Sequence, residues 1–156
     1  MLGLGAAKPV SGQAEDVVKC SITKVFEFVA DHFFDNYPKW CPQVVELESL
    51  SELPVGVGCR GRQVTRDRGI DSESIFEVTT FDVPGKLEIK GETEPFRSTY
   101  EFHREGDQAT RVSFTFELEE LELVMRPFQK LIRVALQDGA SQTIENIKRL
   151  IEEQPA

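Results

Sequence analysis

Apolar residues recur at steps of three and four along residues 126–153: Phe128, Leu131, Ile132, Ala135, Leu136, Gly139, Ala140, Thr143, Ile144, Ile147, Leu150 and Ile151. That spacing predicts one long amphipathic helix, roughly 40 Å from end to end, whose stripe must be covered by something. Pro127 suits its first turn, where a missing N–H costs nothing. A shorter helix is predicted from the N-cap Ser21 through SITKVFEFVADHFF, with Ile22, Val25, Phe26, Val29 and Phe33 on its stripe and Phe28 and Phe34 off it. The stretch DNYPKWCP (35–42) holds two prolines and is read as a break from regular helix that presents Tyr37 and Trp40.

Between these helical ends the period falls to two. Strands are predicted at about 14–20, 44–50, 57–65, 70–81, 86–93, 96–104 and 109–119. In the last, Val112, Phe114, Phe116 and Leu118 alternate with Arg111, Ser113, Thr115 and Glu117, so one face is apolar and one wet. Phe96, Ser98, Tyr100 and Phe102 form the apolar face of the strand before it, and Leu87 and Ile89 continue that face. Both parities carry apolar residues in 70–81 (Phe76 and Val78 on one, Ile75 and Phe81 on the other), which calls for a β-bulge. Short turns join most of the strands, at residues 67–69, at DVPG and at EGDQ. Strands in a meander with helices near the beginning and at the end make the fold class α+β. A sheet with one wet face must curl round the long helix to bury both, and large aromatics against a straight helix need not fill the space between them. A cavity results where they do not.

Composition narrows the function. The chain of 156 residues fits one domain, residues 14–153, after a flexible lead-in at 1–13. A net charge of −9 argues against nucleic acid and against docking on anionic lipid. Three widely spaced cysteines and two histidines offer no metal site, and no cofactor is implied; the odd cysteine count fits a reducing, cytoplasmic setting. The opening residues do not form a convincing signal peptide, and no apolar run is long enough for an integral membrane segment.

The order of these elements carries a resemblance. A strand, the SITKVFEFVAD helix, YPKW, ELPVGVG, FEVTTFDVPGKL, PFRSTYEFHREGDQATRVSFTFELE and the long helix together resemble the START-like superfamily of the birch-pollen allergen, especially its bacterial polyketide cyclase/dehydrase-like and lipid-transport members. YPKWCP and PFRSTYEF are loosely similar to its ubiquinone-binding branch. The resemblance implies a helix-grip fold: a seven-stranded curved antiparallel sheet wrapped around the C-terminal helix, two short helices between strands one and two (here Ser21–His32 and a fragment near Asn36–Trp40), and a hydrophobic cavity. It supplies no shared catalytic motif, so no catalytic residue is carried over.

Candidate ligand-binding residues are then Phe26, Trp40, Gln63, Phe76, Val78, Ser98, Tyr100, Phe102 and Phe114, with Phe128, Ile132, Ala135, Leu136 and Gly139 on the helix. Further along the helix, Ile144, Ile147, Leu150 and Ile151 are expected to lock it to the sheet. Trp40 is read either as a lid residue framing the entrance with loop 55–58 or, by preference, as a buried anchor. Tyr100 needs a partner for its hydroxyl, and Gln63 faces inward if Cys59 and Gly61 do. Glu77 enters the interior only if the bulge precedes it; otherwise it is a solvent-facing strand residue. His103 falls on the outward parity, and His32 reads as a helix-end residue. Arg60, Arg62, Arg66 and Arg68 make a local basic spot, best explained by cross-strand pairing with Asp71, Glu73 or Glu77. The expected function is binding or transport of a hydrophobic small molecule of lipid, polyketide or isoprenoid type by a monomer or homodimer. The alternatives are a cyclase or dehydratase, and a protein-interaction module.

Overall fold

The computed structural model describes residues 9–154. Seven strands form one antiparallel sheet: β1 (Val10–Val18), β2 (Val44–Ser49), β3 (Arg60–Asp67), β4 (Ile70–Asp82), β5 (Lys86–Gly91), β6 (Phe96–Gly106) and β7 (Ala109–Leu118). Their order is β1-β7-β6-β5-β4-β3-β2, so the first two strands are the two edges. The chain crosses between those edges through α1 (Ile22–Phe26), a π-helical turn (Glu27–Asp31) and α2 (Phe33–Trp40). After β7 a 3₁₀ segment (Leu123–Phe128) leads into α3 (Gln129–Glu152), which lies across the concave face along β1. This is the helix-grip arrangement.

Several local expectations are corrected. β1 opens at Val10, so residues 10–13 of the expected lead-in are strand, and residues 1–8 lie outside the described part. The long helix is not α-helical from 126; Leu123–Phe128 is wound more tightly around Pro127, and the α-helix starts at Gln129. Residues 35–40 do not break into coil. They belong to α2 despite Pro38, which withholds the N–H that would bond to the carbonyl of Phe34. Burial overrides that loss: Phe33, Tyr37 and Trp40 fall at helical spacing on one face and are all buried. The first helix is also not one regular unit. Its π turn inserts an extra residue and rotates the face, so Phe28, which is off the α-helical stripe, is buried with Val29 and Ala30.

The bulge in β4 falls after Glu77. Val78 pairs with Ile89 and Thr80 with Glu88, leaving Thr79 as the extra residue. Phe76 and Val78 therefore point inward on one side of the bulge and Phe81 on the other, where its ring meets Phe26 edge-on at 5.2 Å. Glu77 stays on the outer face between Arg60 and Lys90. Arg60, Arg62 and Arg66 bond to Glu92, Glu73 and Asp71, so these three are neutralised in the sheet, with Glu92 and not one of the expected acids as the partner of Arg60, and each pair holds its arginine firmly charged. Arg68, in the turn, forms no ion pair among the described residues.

β1 has its outer edge occupied by side chains of α3. The Gln137 amide accepts from the N–H of Gln13 at 3.1 Å and donates to its carbonyl at 2.6 Å. Lys148 donates to the carbonyl of Val17 at 2.5 Å, and the Glu152 carboxylate accepts from the N–H of Lys19 at 2.8 Å. These bonds satisfy backbone groups that an edge strand otherwise leaves to water. Lys19's N–H and Lys148 hold the Glu152 carboxyl below its usual range.

Candidate ligand-binding groove

The register between α3 and β1 locates the two ends of the helix. Gln137 lies beside Gln13 and Glu152 beside Lys19. A helix rises ~1.5 Å per residue and a strand ~3.3 Å, so the two run in parallel and in step. The N-terminal half of α3 therefore lies toward Val10, which is in register with Leu118, itself paired with Phe96.

The same helical stripe has two fates. In the C-terminal half Ala140, Ile144, Ile147 and Ile151 are buried against the sheet, and buried Asn146 donates to the carbonyl of Trp40 at 3.1 Å. In the N-terminal half the stripe is only partly covered. Ile132 and Leu136 are half-buried, Ala135 and Gly139 are exposed, and Phe128 is 50% exposed. A Cβ added at Gly139 would meet no atom within 4 Å. Opposite this half stand the inward residues at the end of β6 and β7: Phe96 stacked on Phe116 at 5.8 Å, half-buried Leu118, and Ser98 between Ile89 and Phe116 in the ladder. The N-terminal half of α3 and this end of the sheet thus both carry apolar side chains that are only partly covered. Ser98 is the polar side chain of this sheet end among apolar neighbours.

The interior of the sheet's concave face is closed by aromatic rings. Phe33 is central, stacked on Tyr37 at 4.6 Å and edge-on to Trp40 and Phe76 at 6.0 Å. Gly61 leaves room for Phe76, whose ring occupies the place a Cβ would take. Polar atoms in this cluster are bonded to one another. Trp40 donates from Nε1 to the Tyr100 hydroxyl at 3.3 Å, Tyr37 donates to Oε1 of Gln63 at 3.0 Å, and Gln63 donates to Ser74 at 3.1 Å. Burial pushes the hydroxyls of Tyr37 and Tyr100 far above the usual phenol range, with the nearby Cys41 acting in the same direction.

The sequence-based candidates thus separate into two groups. Phe128, Ile132, Ala135, Leu136 and Gly139 are exposed or half-buried on the N-terminal part of the long helix. Phe26, Trp40, Gln63, Phe76, Val78, Tyr100, Phe102 and Phe114 are packed into the closed interior, and Ser98 is buried beside Ile89 and Phe116 in the sheet. Trp40, 1% exposed, is an anchor and does not frame an entrance. Gln63 is inward as expected but is a strut between Tyr37 and Ser74. His103 is exposed on the outer face, and His32 is an exposed helix-end residue 3.6 Å from Asp35. The sequence reading missed Asn146, a polar residue inside an apolar stripe, and left half-buried Phe116 and Leu118 out of the candidates. Their inward parity was already visible.

Among the described residues no group of three or more metal-binding side chains converges, and no helix is long and apolar enough to cross a membrane.

The sequence profile described as polyketide cyclase / dehydrase and lipid transport matches residues 9–152. The chain belongs to that family. Its members fall in the START-like superfamily, and solved structures bear out the shared fold. TTHA0849 from Thermus thermophilus is 17% identical with a TM-score of 0.74, over 92% of this chain and 99% of that one. A START superfamily protein from Mycobacterium smegmatis is 16% identical with a TM-score of 0.68, over 90% of this chain and 99% of that one. A norcoclaurine synthase from Thalictrum, solved with a transition-state analogue, is 13% identical with a TM-score of 0.70, over 93% of this chain and 95% of that one. No curated protein matches the sequence. Hydrophobic ligand binding is the property that the family description brings at its own, coarse level.

Proposed function

We propose that the protein binds a hydrophobic small molecule in the groove between the N-terminal half of α3 and the ends of β6 and β7, and carries it without converting it. The observation that carries this reading is the split stripe of α3: one apolar face, buried from Ala140 onward and only partly covered before it, beside open space at Gly139. An apolar molecule lying there would cover Phe128, Ile132, Leu136, Phe116 and Leu118, with burial worth about 25 cal/mol per Å². Ser98 would orient a polar end, and the ring cluster around Phe33 would stop the molecule at depth. A lipid, isoprenoid or polyketide chain has the required character. Conversion inside the groove would need an acid and a base within reach; Glu77 and His103 lie on the outer face of the sheet.

Native mass spectrometry of protein purified without denaturation tests the reading. A co-purifying apolar mass, reduced by Gly139→Leu, is expected. Empty protein with no thermal shift across fatty acids, isoprenoid quinones and polycyclic aromatics would rule it out.

A further inference from the structure

The 3₁₀ segment and the first turns of α3 expose an unusual number of large apolar side chains. Leu123 is 73% exposed, Val124 70%, Leu131 70% and Val134 59%. On a soluble surface such residues normally occur singly, and a contiguous run of them marks a contact site. The same run is basic. From residue 123 to residue 137 the sequence LVMRPFQKLIRVALQ has Arg126, Lys130 and Arg133 and no acid, in a chain whose net charge is −9. The three cations border one open depression of about 500 Å³, together with Pro127, Gln129 and Leu131. Among the described residues none of the three takes part in an ion pair, whereas the arginines of β3 are all paired. Glu120 and Glu122 precede the segment and Asp138 follows it, so the positive charge is confined to the exposed apolar stretch.

We infer that residues 123–134 form a docking surface for an anionic lipid bilayer. The chemistry of the patch selects this occupant. Its apolar side chains need a medium that accepts them without a matching pocket, and its cations need negative charge at the boundary of that medium; a bilayer with anionic headgroups supplies both at adjacent depths. A second copy of the chain fits worse. A two-fold contact through this face would set Arg126, Lys130 and Arg133 of one copy against the same residues of the other. The overall acidity of the protein, which disfavours approach in any other orientation, would turn this face toward the membrane. The inference stands apart from the ligand reading, since it rests on the outer surface of the segment and holds whether or not the groove is filled.

Vesicle co-sedimentation of the full chain tests it, with vesicles of phosphatidylcholine alone and of equal parts phosphatidylcholine and phosphatidylglycerol. Partitioning on the order of a hundredfold stronger onto the anionic vesicles is expected, from three cations near the surface. It should weaken as salt is raised. Leu131→Glu and the pair Lys130→Glu with Arg133→Glu should each abolish it, and because these side chains are exposed, circular dichroism and melting should stay at wild-type values. Equal partitioning onto both vesicle types, or anionic binding that survives all three substitutions, would overturn the proposal. So would a dimer in analytical ultracentrifugation that Leu131→Glu dissociates, with no vesicle binding by the wild type; that result would give the face to a second copy.

Discussion

The α-carbon of Gly12 lies directly against the carbonyl of Leu136, with no room for a methyl group between strand and helix. Here the backbone of α3 comes down onto β1. The obstructing atoms are main chain, held by the Gln137–Gln13 bonds one residue further on, so they cannot swing aside. Gly12→Ala is expected to cost about 1–3 kcal/mol and to lift α3 along its whole N-terminal half. Urea denaturation gives the loss of stability, and hydrogen exchange around residues 129–137 gives its location. An unchanged midpoint would mean that strand and helix are not this close.

Gly139 is the opposite case on the same helix. A methyl group there would meet nothing, so Gly139→Ala should gain up to ~1 kcal/mol from helix propensity alone. Gly139→Leu should also fold, because the space beside it is open, but its side chain would occupy the groove. Ligand affinity should then fall at least tenfold while the melting temperature holds. Equal affinity in wild type and Gly139→Leu would place the ligand elsewhere.

Asn146 joins α3 to the end of α2 through the Trp40 carbonyl, and its own oxygen accepts from Gln142 at 2.9 Å. Asn146→Ala leaves a buried carbonyl without this donor and should cost about 1–3 kcal/mol. Trp40 is the protein's single tryptophan, so its fluorescence should report the loosening directly. Wild-type stability together with an unshifted emission maximum would show that the bond contributes nothing.

Two buried tyrosines set the alkaline limit of the fold. The hydroxyls of Tyr37 and Tyr100 are raised by burial, and the Cys41 thiol is raised for the same reason. Each group keeps its proton in the folded state at a pH where the unfolded chain has lost it. The unfolded state therefore binds fewer protons, and stability falls as pH rises. The fall begins near the ordinary thiol value of 9.0 and steepens above the phenol value of 10.0. Each fully titrating group adds about 1.4 kcal/mol per pH unit to the slope. Urea midpoints measured from pH 8 upward should show this decline, and Tyr100→Phe should flatten it. A pH-independent midpoint through this range would contradict the burial of both hydroxyls.

Much of the architecture is legible in the sequence because alternation and helical spacing are direct records of burial. Val112 and Phe114 point inward as their parity requires, and the two conflicting parities of β4 demand a bulge that is present at Thr79. What stays hidden depends on contacts remote in sequence. Pro38 forbids helix locally, yet the burial of Phe33, Tyr37 and Trp40 imposes one. The π turn changes the phase of the first helical region by a single residue, which no fixed period can anticipate. Trp40 reads as an anchor in preference to a lid, and its indole bond with Tyr100, a strand residue 60 positions away, bears out the anchor. Small residues at 135, 139 and 140 suggest that the long helix leaves the sheet there, but the Leu136 carbonyl lies against Gly12 and Ala140 is buried, so the helix meets β1 at this point. The step of helix against strand is set by Gln137 and Glu152, which no spacing within the helix contains.

The bonds from Gln137, Lys148 and Glu152 to β1 also bear on how copies of this protein can meet. A sheet extends indefinitely from chain to chain only if each copy offers two vacant borders, one to receive and one to pass on. Here, among the described residues, the β1 border is taken by the molecule's own helix, and β2 at the far end has strand pairing on one side alone. That leaves β2 as the readier border for a second copy. The same three side chains that seat the helix thereby hinder the sheet from being continued past β1.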